Sequence, residues 1–151
     1  MRCTSNSCRA RELQGSHLKE TILVVEDGDA VRNLVCKMLV QNGYGVLEAR
    51  DGREALRACE LHPEPIQLVL TDLVMPNMRG AELVEHLRRS RPDLRILLMS
   101  GYAEEPVLHS LGRHALSFLA KPFTSIELVA KVREVLDAPW HGLPTGRRPD
   151  G

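Results

Sequence analysis

The sequence predicts an α/β fold: one parallel sheet built from a βα unit repeated about five times, with helices on both faces. Three observations predict it. Short apolar runs rich in Val, Ile and Leu recur along the chain, too brief for helices and hydrophobic on both faces. Each is followed by a stretch with apolar residues at helical spacing. Turn residues and helix caps mark each change of period. Strict alternation of this kind gives parallel strands joined by right-handed crossovers. With 151 residues, the chain is long enough for one domain with a proper core and too short for two of ordinary size.

The first strand is Thr21 to Val25, which ends in Glu26-Asp27-Gly28. Asp29 is expected to cap the helix that follows. Val31, Leu34, Val35, Met38 and Leu39 form its predicted core stripe, and Asn42-Gly43 closes it. Tyr44 to Ala49 reads as the second strand. Asp51 and Glu54 fit a capping box, with Ala55, Leu56 and Cys59 facing inward. His62-Pro63-Glu64-Pro65 stops that helix, because neither proline fits a helix interior.

Ile66 to Leu70 begins the third strand, which leaves the sheet at Asp72 and enters a loop holding Pro76 and Gly80. Leu83, Val84 and Leu87 mark a third helix that stops near Pro92. Leu94 to Met99 is the fourth strand, ending in Ser100-Gly101. A shorter helix is expected over 104–111. Ala115 to Leu119 is the fifth strand, followed by Lys121-Pro122-Phe123. Thr124 and Glu127 make a second capping box, and Leu128, Val132, Val135 and Leu136 face the core from the last helix. Residues 1–19 read as a polar leader or linker, 20–138 as the domain, and 139–151 as a loose tail rich in Pro, Gly and Arg.

Composition narrows the function. Twenty basic and twenty acidic residues give zero net charge, which argues against a broad electrostatic footprint for nucleic acid or an anionic membrane. No apolar run approaches the roughly 20 residues a membrane span needs, and the N-terminus has no apolar secretory core. Cys3 and Cys8 lie in the polar leader, whereas Cys36 and Cys59 fall in predicted helices and read as small hydrophobes. The helical cysteines lack metal-ligand spacing, so reduced thiols in the cytoplasm are expected.

In a parallel sheet, the carboxyl ends of all strands lie on one edge, where open α/β sheets bind ligands. That edge collects Glu26 and Asp27 from the first strand, Asp72 from the third, Ser100 from the fourth and Lys121 from the fifth. Each residue alone has a plain reading: a helix-cap pair, a turn Asp, a turn Ser, a solvated lysine. Together they do not. Like-charged carboxylates about 4 Å apart repel by on the order of 4 kcal/mol at an effective dielectric near 20. Such a cluster calls for a cation, and hard oxygens at an open edge suit Mg²⁺ with phosphate. An ammonium and a hydroxyl beside it suit a phosphoryl group, and one carboxylate can act as nucleophile. The six histidines do not fall at these strand ends.

Here the motifs match a family. Ile22-Leu23-Val24-Val25-Glu26-Asp27, then Asp72 with Met75-Pro76 and Gly80 behind it, then Ser100-Gly101, then Lys121-Pro122-Phe123 resemble the response-regulator receiver domain of two-component signalling. The resemblance covers Thr21 to Asp137. It implies a flavodoxin-like (βα)5 fold with strand order 2-1-3-4-5. It implies that Asp72 accepts a phosphoryl group from a partner's phosphohistidine, on a histidine kinase or phosphotransfer domain. Asp27, Asp72 and the backbone carbonyl of Val74 would coordinate Mg²⁺, with Glu26 holding it through water. Lys121 would pair with Asp72 and then with the phosphate. Ser100 and the aromatic Phe118 would act as the switch pair, and the Lys121–Pro122 bond would be cis. Output would pass through the fourth predicted helix, the fifth strand and the last helix to a downstream protein.

Some positions depart from the common pattern. The switch aromatic is Phe, without a hydroxyl, so coupling must work through packing. Ser replaces the commoner Thr at position 100. An apolar Val74, with Tyr102, occupies a position that tunes phosphate lifetime, and a long-lived phosphate is expected because Val cannot orient an attacking water. Two other functions stay open. An aspartate-nucleophile phosphatase would carry a second Asp two residues after the nucleophile, where this chain has Val74. A degenerate receiver used only for docking would not need Asp27, Asp72, Ser100 and Lys121 together. The setting is either a single-domain regulator or the receiver of a hybrid sensor histidine kinase, and the Val-Val-Glu-Asp opening and Met99-Ser100-Gly101-Tyr102 resemble the hybrid kinases more.

Overall fold

The computed structural model describes residues 19–73, 75, 78, 80–100 and 117–138. Five strands and four helices lie in that range: β1 (Thr21–Val25), α1 (Asp29–Gln41), β2 (Gly45–Ala49), α2 (Gly52–Leu61), β3 (Leu68–Asp72), α3 (Gly80–Ser90), β4 (Arg95–Ser100), β5 (Ser117–Ala120) and α4 (Ser125–Asp137). The strands form one sheet in the order β2-β1-β3-β4-β5, and every pairing is parallel. This is the flavodoxin-like order that the resemblance implied. The leader, the predicted helix over 104–111 and the tail over 139–151 lie outside the described residues.

Alternation along the buried strands makes two cores. Leu23, Val25, Val69, Ile96 and Leu98 face α2 and α3, against Ala55, Cys59, Leu83, Val84 and Leu87. Ile22, Val24, Leu68, Leu70, Leu97 and Met99 face α1 and α4, against Val35, Leu39, Leu128 and Val132. A strand covered on both faces must be apolar at every position, which is why β1, β3 and β4 read as continuous hydrophobic runs. Cys36 and Cys59 are buried free thiols, and burial pushes the Cys36 thiol up to about 11. They pack as small hydrophobes, as their helical positions predicted.

Three local expectations need correction. Asp29 does not cap α1; Gly28 holds the cap position without a side-chain bond, and Asp29 is the first helical residue. The core stripe of α1 is also rotated. The residues it buries are Arg32, Val35, Cys36 and Leu39, while Val31 is 41% and Leu34 53% exposed. Both stripes have helical spacing, and the difference is a buried arginine, which hydropathy alone assigns to the outside. The capping box read at α4 forms in full, and the one read at α2 forms only in half. The Asp51 carboxylate accepts the Glu54 N–H at 2.9 Å, although the Glu54 carboxylate takes the N–H of Arg50 rather than that of Asp51. Thr124 and Glu127 form the full reciprocal box.

Candidate functional site: a carboxylate cluster at the sheet edge

Strands β1 and β3 are adjacent, with Val25 paired to Thr71, so Glu26 and Asp72 leave neighbouring strands at the same level. Glu26, Asp27 and Asp72 each present a carboxylate oxygen within 4.8 Å of the others. Glu26 and Asp72 are buried, and Asp27 is exposed. From β5, Lys121 brings its Nζ to 3.1 Å from Asp72 Oδ1 and 3.7 Å from Glu26 Oε1. The Lys121 N–H donates to the Ser100 carbonyl at 2.9 Å, which fixes the lysine backbone to the end of β4. The Lys121–Pro122 bond is cis, as expected.

Backbone donors orient the carboxylates. The Leu73 N–H donates to Asp72 Oδ1 at 2.9 Å, and the Gly28 N–H to Glu26 Oε2 at 3.0 Å. The Thr71 hydroxyl donates to the Asp72 carbonyl at 2.9 Å, a contact the sequence reading missed. Burial raises the Glu26 carboxyl above its usual range, with the Asp72 and Asp27 charges adding to the rise and the Gly28 N–H and Lys121 opposing it. Among the described residues, three carboxylates face one ammonium, so negative charge is left over. Glu26 Oε1 is buried and accepts no hydrogen bond among the described residues. A buried acceptor without a donor is costly, and a hard cation bound among these oxygens would remove that cost.

Ser100 ends β4, buried, one residue past Met99, the register partner of Asp72. Phe118 lies on β5 opposite Leu98, half-buried against the α2/α3 core. Glu26, Asp27, Asp72 and Lys121 are therefore brought together, with Ser100 and Phe118 on the adjoining strands. Val74 and Tyr102 lie outside the described residues. A further residue, Arg32, was not singled out from the sequence, yet its guanidinium reaches the Glu26 carbonyl at 3.0 Å. The signal was present in its spacing, since Arg32, Val35, Cys36 and Leu39 follow i, i+3, i+4, i+7.

A family model described as the response regulator receiver domain matches residues 22–133, most of the chain. The chain belongs to the response regulator receiver domain family. The sensor kinase CckA of Brucella abortus is 40% identical over 130 residues, covering 85% of this chain and 13% of that protein. The response regulator receiver protein CpdR of the same organism is 35% identical over 118 residues, covering 78% of this chain and 97% of CpdR. The crystal structure of the receiver domain from the hybrid histidine kinase CckA superposes with a TM-score of 0.65 at 33% identity, covering 77% of this chain and 98% of that one. Against the transcriptional regulator PhoB of Escherichia coli, the chain spans 51% of the relative's length. This receiver is thus similar both to part of a large sensor kinase and to a small regulator. Among the described residues, no helix is long and apolar enough to cross a membrane.

Proposed function

We propose that this receiver is a phosphoacceptor, in which Asp72 takes a phosphoryl group from a phosphohistidine on a histidine kinase or phosphotransfer domain. The observation that carries the reading is the buried Asp72 carboxylate, 3.1 Å from Lys121 Nζ and grouped with Glu26 and Asp27. An Asp72 oxygen forms the new bond to phosphorus as the P–N bond breaks. The bond's electron pair returns to the ring nitrogen, and a ring already protonated on its other nitrogen leaves as neutral imidazole. The product is an acyl phosphate on Asp72. Lys121 holds the attacking carboxylate and then faces the transferred oxygens. Ser100 supplies a hydroxyl donor, and Phe118 follows it by packing. Glu26, Asp27, Asp72 and the Val74 carbonyl are the proposed holders of Mg²⁺, which when bound neutralises charge on the phosphoryl oxygens. The donor places this chemistry in the cytoplasm, and the likeness to CckA favours a hybrid-kinase relay over a free-standing regulator.

The test uses acetyl phosphate as donor. The expected result is one added phosphoryl group by intact mass with Mg²⁺, none in EDTA, and loss on treatment with hydroxylamine, which cleaves acyl phosphates. Uptake that ignores EDTA, or a product that resists hydroxylamine, would overturn the reading.

The donor's docking face is proposed from α1. This helix starts two residues past Asp27, and its first turns present exposed Val31 and Leu34. Apolar side chains at i and i+3 beside a reaction centre suit a partner helix. Leu34→Asp is expected to slow transfer from a phosphorylated kinase that labels the wild-type chain by on the order of tenfold. Labelling by acetyl phosphate should not change, since that donor needs no docking. Equal slowing with both donors would count against the face. Output is proposed through β5, α4 and the segment between β4 and β5, and the shift there can be no larger than the phosphate's differential interaction with the two states.

A further inference from the structure

We propose that Arg32 is a positioning residue for the carboxylate site, one that orients the Glu26–Asp27 peptide and is itself held by two carboxylates outside the cation cluster. This rests on the reading of that cluster as the Mg²⁺ site. Arg32 is 9% exposed, and a buried guanidinium is tolerated only when its donors are met. Three acceptors from three parts of the chain meet them. Nη1 donates to the Glu26 carbonyl at 3.0 Å, Nη2 to Asp29 Oδ1 at 2.7 Å and Nε to Glu48 Oε1 at 3.1 Å.

The first bond reaches the site. Glu26 lies just past the end of β1, and its N–H still donates to the Ala49 carbonyl at 3.0 Å. Its carbonyl is held by Arg32 instead of by a strand. That carbonyl belongs to the peptide group joining Glu26 to Asp27, so its orientation sets the direction in which the Asp27 backbone leaves. The other two bonds go to the carboxylates of Asp29 and Glu48. Neither belongs to the group of Glu26, Asp27 and Asp72, whose oxygens gather within 4.8 Å.

The charge of Arg32 is already offset by Asp29 and Glu48, so its influence on the cluster is geometric. That fixes what a substitution must do. Lysine keeps the charge but loses the planar fork that reaches three acceptors at once. Arg32→Lys should therefore weaken Mg²⁺ binding without altering the phosphoryl-transfer groups themselves. Outer partners of metal ligands typically alter affinity by about 10–100-fold.

The test measures three quantities in the full chain: Mg²⁺ dissociation by calorimetry without any phosphodonor, the Mg²⁺ dependence of acetyl phosphate labelling, and thermal unfolding in EDTA. Arg32→Lys is expected to raise the Mg²⁺ dissociation constant and half-saturation by about tenfold, with the labelling rate at saturating Mg²⁺ near wild type. Glu48→Ala, which removes the acceptor of Arg32 Nε at the sheet edge, should shift both in the same direction by less. A folded Arg32→Lys with unchanged Mg²⁺ affinity overturns the proposal, as does a lowered plateau rate at fixed half-saturation, the mark of a purely structural role. If Arg32→Lys does not fold, unchanged Mg²⁺ affinity in Glu48→Ala overturns it. A wild-type chain that binds no Mg²⁺ sinks the parent reading as well. Normal wild-type binding with unmoved variants sinks this inference alone.

Discussion

Asp72→Asn is expected to abolish phosphoryl uptake, lowering the labelling rate by on the order of 10³-fold or more. The substitution is nearly isosteric. Asparagine keeps an oxygen that can accept the Leu73 N–H, now made at 2.9 Å, so the loop entry after β3 should survive. What it loses is the anionic carboxylate, the proposed nucleophile, and with it the charge partner of Lys121 at 3.1 Å. A neutral amide oxygen attacks phosphorus poorly, and Lys121 is left facing Glu26 at 3.7 Å. A second effect follows from linkage. A ligand bound only by the folded state raises its melting temperature. Mg²⁺ should therefore raise the melting temperature of the wild-type chain, and raise that of Asp72→Asn by less, because one of three carboxylates is gone. Intact mass after acetyl phosphate treatment and melts with and without Mg²⁺ check both. Undiminished labelling of Asp72→Asn would place the acceptor elsewhere.

The site was legible before the structure because it depends on topology more than on local geometry. A parallel sheet sends every strand's carboxyl end to one edge, so strands ending in Glu26-Asp27, Asp72 and Ser100, with Lys121 after a fifth, had to converge. What sequence could not supply was pairing set by tertiary contact. Arg32 reads as a solvent residue until Asp29 and Glu48 are seen to hold it, and that one burial rotates the core face of α1 and puts Val31 and Leu34 outside. Arg133 is similar. It looks like an exposed helical arginine, yet it donates to both Glu20 oxygens, to Asp137 and to the Tyr44 hydroxyl, and its guanidinium carbon lies 6.0 Å from the Tyr44 ring centroid. These partners pin the start of β1 to α4 across 113 residues of sequence, a distance no periodicity reveals.

Gly80→Ala is expected to damage the fold and the site together, although alanine is the better helix former. Gly80 is the first residue of α3, and its N–H donates to the Leu73 carbonyl at 2.9 Å. A Cβ there would lie 2.8 Å from Leu73 Cα and 3.1 Å from the Asp72 carbonyl carbon, and would press on the Asp72 carbonyl oxygen. These are backbone atoms at the end of a buried strand and have no rotamer to escape into. Overpacking of this kind costs about 1–3 kcal/mol or more, against a helix-propensity gain of at most about 1 kcal/mol. Sterics therefore win, and the strain falls on Asp72, the proposed phosphoacceptor. Gly45 is the useful contrast. A Cβ there would meet nothing nearer than Thr21 Oγ1 at 3.4 Å, an ordinary contact, so Gly45→Ala should change stability little. Denaturant unfolding should show a clear loss of stability for Gly80→Ala. At a temperature where that variant is still folded, its labelling by acetyl phosphate should be slower than that of Gly45→Ala. Wild-type stability and labelling in Gly80→Ala would mean that β3 and α3 can separate without disturbing Asp72, and that the close approach at Gly80 does not position the acceptor.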